Sequence, residues 1–144
     1  MADDGGFTYL NAENIWKHIS KEQNYPNSGT LLYVALYTTA PNWDDGTGSG
    51  GTAVEVTGAG YSRVSLLSTL WYGNHEGHLN GAELLFGPAT EDWGIIRGWG
   101  IWNSTQTIML MYGTFDGGDF GIPTDVLNGD SLSIPYGGIF FGLE

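Results

Sequence analysis

The chain has 144 residues, and its sixteen Asp and Glu against four Lys and Arg give a formal net charge of −12. This length suits one domain, and four scattered cations cannot form a phosphate-binding surface, so we expect neither a nucleic-acid partner nor a membrane partner. The sequence has no cysteine, which excludes disulfides, thiolate catalysis and cysteine-ligated metals.

The N-terminal segment MADDGGFTYL is acidic and has no apolar signal-peptide core, so we expect a soluble chain without a leader. Only Phe7, Tyr9 and Leu10 could anchor this segment. Because such a segment has little to pack against alone, we expect residues 1–10 to become ordered on a neighbouring subunit or on a capsid. The alternative is that the segment pairs with the chain's own sheet.

The next segment, LNAENIWKHISK, predicts one short helix. Asn11 is the expected N-cap, because its side chain can accept a hydrogen bond from the first helical turn. Ile15, Trp16 and Ile19 form one apolar stripe at helical spacing. Pro26 disfavours helical geometry in the residue before it, so the helix should end by about residue 23. We assign residues 1–28 to an N-terminal arm with this helix, and residues 29–144 to a β domain.

Residues 29–144 show patterns of period two, separated by Gly, Pro, Asn and Asp. LLYVALYTT is apolar on both faces, which is typical of a strand between two packed layers. The later strand candidates are AVEV, YSRVSL, GAELLF, IIRGWGIW, TIMLMYG, DSLSIP and GIFFGL. With 24 glycines and many aromatic residues, this pattern predicts an all-β fold: a sandwich or jelly roll of about eight short strands with one N-terminal helix.

The segment between the first two of these strands contains Gly46, Gly48 and Gly51 in a G-x-G-x-x-G pattern, after Asp44 and Asp45. A dinucleotide site needs a helix directly after the glycines, but TAVEV is strand-like. The alternating oxygen ligands and the final glutamate of an EF-hand are also absent. We therefore expect a mobile, solvent-facing connection, with no nucleotide and no tightly held calcium.

Aromatic and apolar residues near turns and near both ends of the chain are the candidates for a protein interface, because aromatic side chains bury large areas at modest entropic cost. The C-terminal run GGIFFGLE is too apolar for an exposed strand, so it should be buried in the core or against another subunit. For any single tryptophan we favour packing in the core. The candidate interface residues are Phe7, Tyr9, Leu10, Trp43, Trp71, Tyr72, Phe140 and Phe141.

Patterns typical of catalysis or metal binding are weak. His75, Glu76 and His78 have a histidine spacing of three rather than four and lie beside glycines, although a loop could still gather them around a metal. Glu91 and Asp92 could act in glycoside hydrolysis only if they faced each other across a cleft. We expect no enzymatic activity, no catalytic residue, no metal and no cofactor.

Several blocks of the sequence resemble a widespread family of small virion proteins of tailed bacteriophages. The blocks are LYVALYTTAP, GGTAVEVTGAGYSRV, FGPATEDWG, GWGIWN, LMYG and NGDSLSIP, in this order over residues 8–138. Members are often labelled tail-fibre or tail proteins, and small β proteins of this kind also serve as capsid cement. The resemblance implies no catalytic residues.

From this resemblance we expect a structural protein of the virion, and three roles are open. The first is a cement protein on the outer surface of the head, a homotrimer that bridges subunits of the major capsid protein. The second is a tail-fibre or baseplate component with tail-protein partners, which could bind glycans. The third is a phage hydrolase with a carboxylate pair. Copy number in virions separates the first two, because cement proteins are far more numerous than fibres.

Overall fold

The computed structural model of the chain describes residues 5–20, 29–42, 48–67, 71–74, 77–115 and 124–141. The elements in chain order are β1 (Gly5–Phe7), α1 (Tyr9–Ile19), β2 (Leu31–Thr39), β3 (Val54–Glu55), β4 (Val64–Leu67), β5 (Trp71–Asn74), β6 (Gly77–Asn80), β7 (Leu84–Phe86), β8 (Gly94–Ile96), β9 (Gly98–Trp102), β10 (Met109–Thr114), β11 (Thr124–Val126), β12 (Leu132–Ile134) and β13 (Phe140–Phe141). The predicted mostly-β fold with one N-terminal helix is confirmed.

The largest sheet has the strand order β1-β10-β9-β2-β3, and β4 also pairs with β2. Strand β2 lies in the interior of this sheet, between β9 on one side and β3 with β4 on the other. Its side chains are buried on both faces, as its sequence predicted: Val34 and Leu36 face one apolar cluster, and Ala35 and Tyr37 face the other.

The main core lies between one face of this central sheet and three smaller antiparallel sheets, which are β11-β8, β12-β7 and β13-β6-β5. Trp99 and Ile101 project into it from the central sheet, and Leu84, Phe86 and Ile96 project from the smaller sheets. Alternation explains why β7 takes part, because Leu84 and Phe86 are buried while Leu85 between them is exposed. The sandwich is therefore one broad sheet covered on one face by three small ones.

The second apolar cluster lies on the opposite face of the central sheet and includes Tyr37, Trp102, Met109 and Tyr112. Residues 48–50 pack against it: the carbonyl of Gly48 accepts a hydrogen bond from the Met109 amide at 2.7 Å. Both Gly48 and Gly50 are buried. The predicted solvent-facing, mobile connection is therefore wrong for these two glycines, because their backbone packs against the sheet.

The N-terminal segment is part of the central sheet. Strand β1 pairs with β10, with Phe7 opposite Met111. The prediction that residues 1–10 are ordered by a neighbouring subunit is therefore wrong from Gly5 onward, because the chain's own sheet supplies the partner strand. Residues 1–4 lie outside the described part.

Helix α1 is capped by Thr8 rather than by the predicted Asn11. The Thr8 hydroxyl donates to the Met109 carbonyl at 2.6 Å, and the Asn11 side-chain amide donates to the Leu110 carbonyl at 2.9 Å. The register of β10 against β9 shifts between Met109 and Met111, and such an irregularity leaves backbone groups that the neighbouring strand does not pair. Asn11 is therefore a buried anchor that attaches α1 to β10. The described helix is too short to cross a membrane.

Candidate interaction surface

Helix α1 presents a row of apolar side chains to solvent. Trp16 is 70% exposed, Ile19 is 63% exposed and Tyr9 is 44% exposed. Trp16 and Ile19 were predicted to form part of an apolar stripe, but neither residue was among the predicted interface candidates. The signal that could have indicated their exposure is Asn11. This polar residue lies on the buried side of α1, where a core-facing helix normally carries an apolar residue.

The predicted interface residues near the N-terminus differ in the exposure of their side chains. Tyr9 is exposed on α1, whereas Phe7 and Leu10 are half-buried. Leu10 packs beside the residues 48–50, since a side chain at Gly48 would lie 3.1 Å from its Cδ2 atom. The interface prediction for this end of the chain therefore rests on Tyr9 and its neighbours on α1.

The other predicted candidates give no exposed anchor within the described residues. Trp71 is 8% exposed and belongs to the main core. Trp43 and the side chains of Tyr72, Phe140 and Phe141 lie outside the described part of the chain. The backbone of Tyr72 lies in β5, and the backbones of Phe140 and Phe141 lie in β13. These two strands flank β6 on its two sides. The C-terminal run enters the core at Ile139, which is fully buried, as expected.

Three further tryptophans are also buried: Trp93, Trp99 and Trp102. The Trp93 indole nitrogen donates to the Ala59 carbonyl at 3.0 Å, and the Trp102 indole nitrogen donates to the Tyr37 hydroxyl at 2.9 Å. Packing in the core, the interpretation favoured for any single tryptophan, is therefore confirmed for these residues. Trp16 is the exposed tryptophan of the described chain.

A polar cluster connects strands β2, β3 and β9 at one edge of the central sheet. The Arg63 guanidinium binds the Glu55 carboxylate through two hydrogen bonds of 2.8 Å. The same guanidinium lies 4.1 Å from the centre of the Trp102 ring, within reach of a cation–π interaction. Tyr61 donates its hydroxyl proton to Glu55 and accepts the Leu36 amide proton.

The chemistry of this cluster is that of a structural ion pair. Burial raises the pKa of both the Tyr61 and the Tyr37 hydroxyl above their ordinary range. Burial lowers the pKa of the Arg63 guanidinium, but the hydrogen bonds to Glu55 outweigh that effect, so its pKa is raised overall. Arg63 therefore stays charged and both phenols stay protonated at neutral pH. The cluster therefore connects β2, β3 and β9 within the central sheet.

The carboxylates considered for hydrolysis also have structural partners. Glu91 accepts the Ala59 amide and Asp92 accepts the Asn128 amide, each at 2.8 Å. In the described residues, no group of three or more His, Asp or Glu side chains could hold a metal ion. Asp44, Asp45, His75 and Glu76 lie outside the described part, and the predictions made for them remain predictions.

Comparison with protein families identifies the family of the chain. A family model described as Podophage GP4 fiber I protein gp80 matches residues 6–141. The chain belongs to this family. It is therefore a structural component of a bacteriophage virion, and the resemblance to small phage virion proteins is confirmed. A search of curated proteins found no match.

Other apolar side chains of this chain are also exposed. Leu85 and Ile95 point outward from the small sheets, and Leu127 and Tyr136 lie in turns. Each of these side chains belongs to a different strand or turn, so they do not form a row along one element. On α1, by contrast, the exposed apolar residues follow one another along a single helix face.

Proposed function

We propose that this protein is a fibre subunit on the virion of a tailed phage, located at the tail. The observation that carries the proposal is the family match over residues 6–141, whose description names a fibre protein of a podophage. The match includes β1, α1 and every strand as far as β13, so it applies to the whole described fold and not to one motif.

The physical character of the chain fits a structural role that needs no catalysis. Its carboxylates and its phenols in the polar cluster stabilise loops and strands, and the apolar row on α1 is open to a protein partner. Protein interfaces derive much of their binding energy from a few aromatic anchors. The proposed partners are other tail proteins and further copies of this chain, most simply in a homotrimer.

A cement role on the head is the second candidate, and the shape of the described elements favours it. The longest strand is β2 with nine residues and the helix has eleven, so the described residues form a body around one sheet rather than an extended shaft. A cement protein of this shape would bridge subunits of the major capsid protein.

Deletion of the gene from the phage distinguishes the two roles. A fibre role predicts particles with full, stable heads that adsorb poorly to host cells, and adsorption should return when the protein is supplied in trans. A cement role predicts normal adsorption but heads that lose DNA on mild heating. Full heads together with normal adsorption would contradict the fibre proposal, and adsorption assays and heat-release of DNA on the same particles measure both properties.

A further inference from the structure

The exposed row on α1 has the spacing of a helix–helix seam. Tyr9, Ala12, Trp16 and Ile19 are separated by three, four and three positions, which is the a/d spacing of a heptad. The three large side chains in the row are exposed, and Ala12 between them is half-buried. Residues at this spacing line one face of a helix, and a/d rows pack against a second helix by inserting knobs into holes. The row therefore forms one continuous apolar strip that a second helix can meet along its length.

The charge of the chain limits which of its surfaces can contact a second copy. At −12 overall, two copies repel each other over most of their surfaces. Around α1 the balance is different, because the described helix carries one acidic residue, Glu13, and one cation, Lys17. Their side chains pair at 2.9 Å. The helix therefore has no formal net charge, and a second copy can approach it without the repulsion that two acidic surfaces would cause.

We infer that α1 is the contact between copies of this chain: its Tyr9, Trp16 and Ile19 face packs against the same face of α1 from another copy. The seam is self-complementary, because each helix supplies both the aromatic knobs and the small Ala12 that leaves room for them. This inference rests on the proposed homo-oligomeric fibre for the presence of several copies, and on α1 alone for the surface where they meet.

The size of the seam predicts how tightly it binds. A stable interface buries roughly 800 Å² on each partner, and an eleven-residue helix with three large exposed side chains supplies much less. The contact should be weak between isolated chains in solution, and it should be populated where the virion holds copies close together, since a high local concentration compensates for weak affinity. Covalent cross-linking of two chains is therefore a better test of this contact than a measurement of dimer affinity.

The absence of cysteine from the chain allows such cross-linking. Ala12→Cys places one thiol inside the seam and keeps Tyr9, Trp16 and Ile19 in place. Treatment of the purified full chain with a short bismaleimide, which tolerates parallel and antiparallel helices, should give covalently linked dimers. Adding Trp16→Glu to Ala12→Cys should lower the yield about tenfold or more, because loss of a central aromatic anchor weakens binding by at least that factor.

Matched variants control for chance collision and for misfolding. Leu127→Cys places a thiol on another exposed apolar site and should give only background cross-linking. Tyr136→Glu, at a side chain 63% exposed, should leave the Ala12→Cys yield unchanged. Thermal melting must show that every variant is folded.

Two results would overturn the inference: an Ala12→Cys yield equal to that of Leu127→Cys, or a yield that Trp16→Glu does not reduce. Either result would leave the fibre proposal intact, because that proposal is tested by adsorption of the deletion phage.

Discussion

At the scale of single residues, Tyr61 joins the main core to the polar cluster. Its ring stacks on Phe86 and meets Trp93 edge to face, while its hydroxyl lies between the Leu36 amide and Glu55. Burial, and then the negative charge of Glu55, raise the pKa of this hydroxyl above its ordinary value of 10.0. The folded protein therefore keeps a proton that the unfolded chain loses as the pH rises above 10.

This difference predicts a loss of stability at high pH. Below pH 10 both states hold the Tyr61 proton, and its contribution to stability is complete. Above pH 10 the unfolded state ionises and the folded state does not, so the free energy of unfolding should fall by up to about 1.4 kcal/mol per pH unit for this one group. The raised pKa of Tyr37 acts in the same direction.

Urea unfolding between pH 8 and pH 11 measures this slope. Tyr61→Phe removes the titrating proton, so the variant should lose stability less steeply above pH 10 than the wild type, although it is less stable at pH 8 because the hydroxyl's hydrogen bonds are lost. Tyr136→Phe changes an exposed phenol and should keep the wild-type slope. Equal slopes for Tyr61→Phe and wild type would show that Tyr61 ionises normally in the folded state.

At the scale of elements, the backbone of residues 48–50 lies against β10, and at Gly50 it leaves little room for a side chain, whereas the Ser49 side chain is exposed. A Cβ atom at Gly50 would lie 2.9 Å from the Met109 Cε atom and 3.1 Å from the Pro41 Cβ atom. Gly50 also has a φ of 88°, which side chains disfavour. Gly129 has a similar φ of 93°, but nothing lies within 4 Å of a Cβ atom there.

These two glycines form a matched pair for a stability measurement. Gly129→Ala should cost about 1 kcal/mol from backbone strain alone. Gly50→Ala should cost that amount plus about 1 kcal/mol from overpacking, because the flexible Met109 side chain can shift but the Pro41 Cβ atom cannot. Chemical denaturation of both variants gives the difference. If Gly50→Ala is no less stable than Gly129→Ala, this segment does not pack on the second cluster.

The sequence predicted the strands that carry a clear apolar pattern. Strand β7 was predicted from its alternation, and β2 was predicted from a continuous apolar run that is buried on both faces. The β5–β6 hairpin and the short strand β11 were missed, since WYGN, GHLN and TDV carry little apolar alternation. The predicted strand IIRGWGIW is divided into β8 and β9, because the chain passes from a small sheet to the central one at Arg97.

Contacts distant in sequence account for the other errors. The period-two pattern of the AVEV candidate implies that Val54 and Val56 share one face, but Val54 is 50% exposed and Val56 is 4% exposed. The pairing of β2 with β3 is irregular between Tyr37 and Thr39. The packing of Gly48 against Met109 depends on a partner some sixty positions away. The apolar row on α1 is readable in the sequence, but its exposure depends on β10 anchoring Asn11 on the opposite side.

At the scale of the whole molecule, the order of sequence blocks led to the right family, and the match over residues 6–141 confirms it. The blocks reflect the strands and turns of the fold, and a fold does not by itself determine whether a protein lies at the head or at the tail of a virion. Location depends instead on which surfaces meet a partner. A chain with a charge of −12 resists nonspecific association, so the contacts that it makes should be few and specific.

The most direct test of the fibre proposal is the position and number of copies in intact particles. Immunogold labelling of purified virions, together with quantitative mass spectrometry against the major capsid protein, measures both. The fibre proposal predicts label at the tail and a copy number far below that of the capsid protein. Label spread over the head, with a copy number approaching that of the capsid protein, would contradict it.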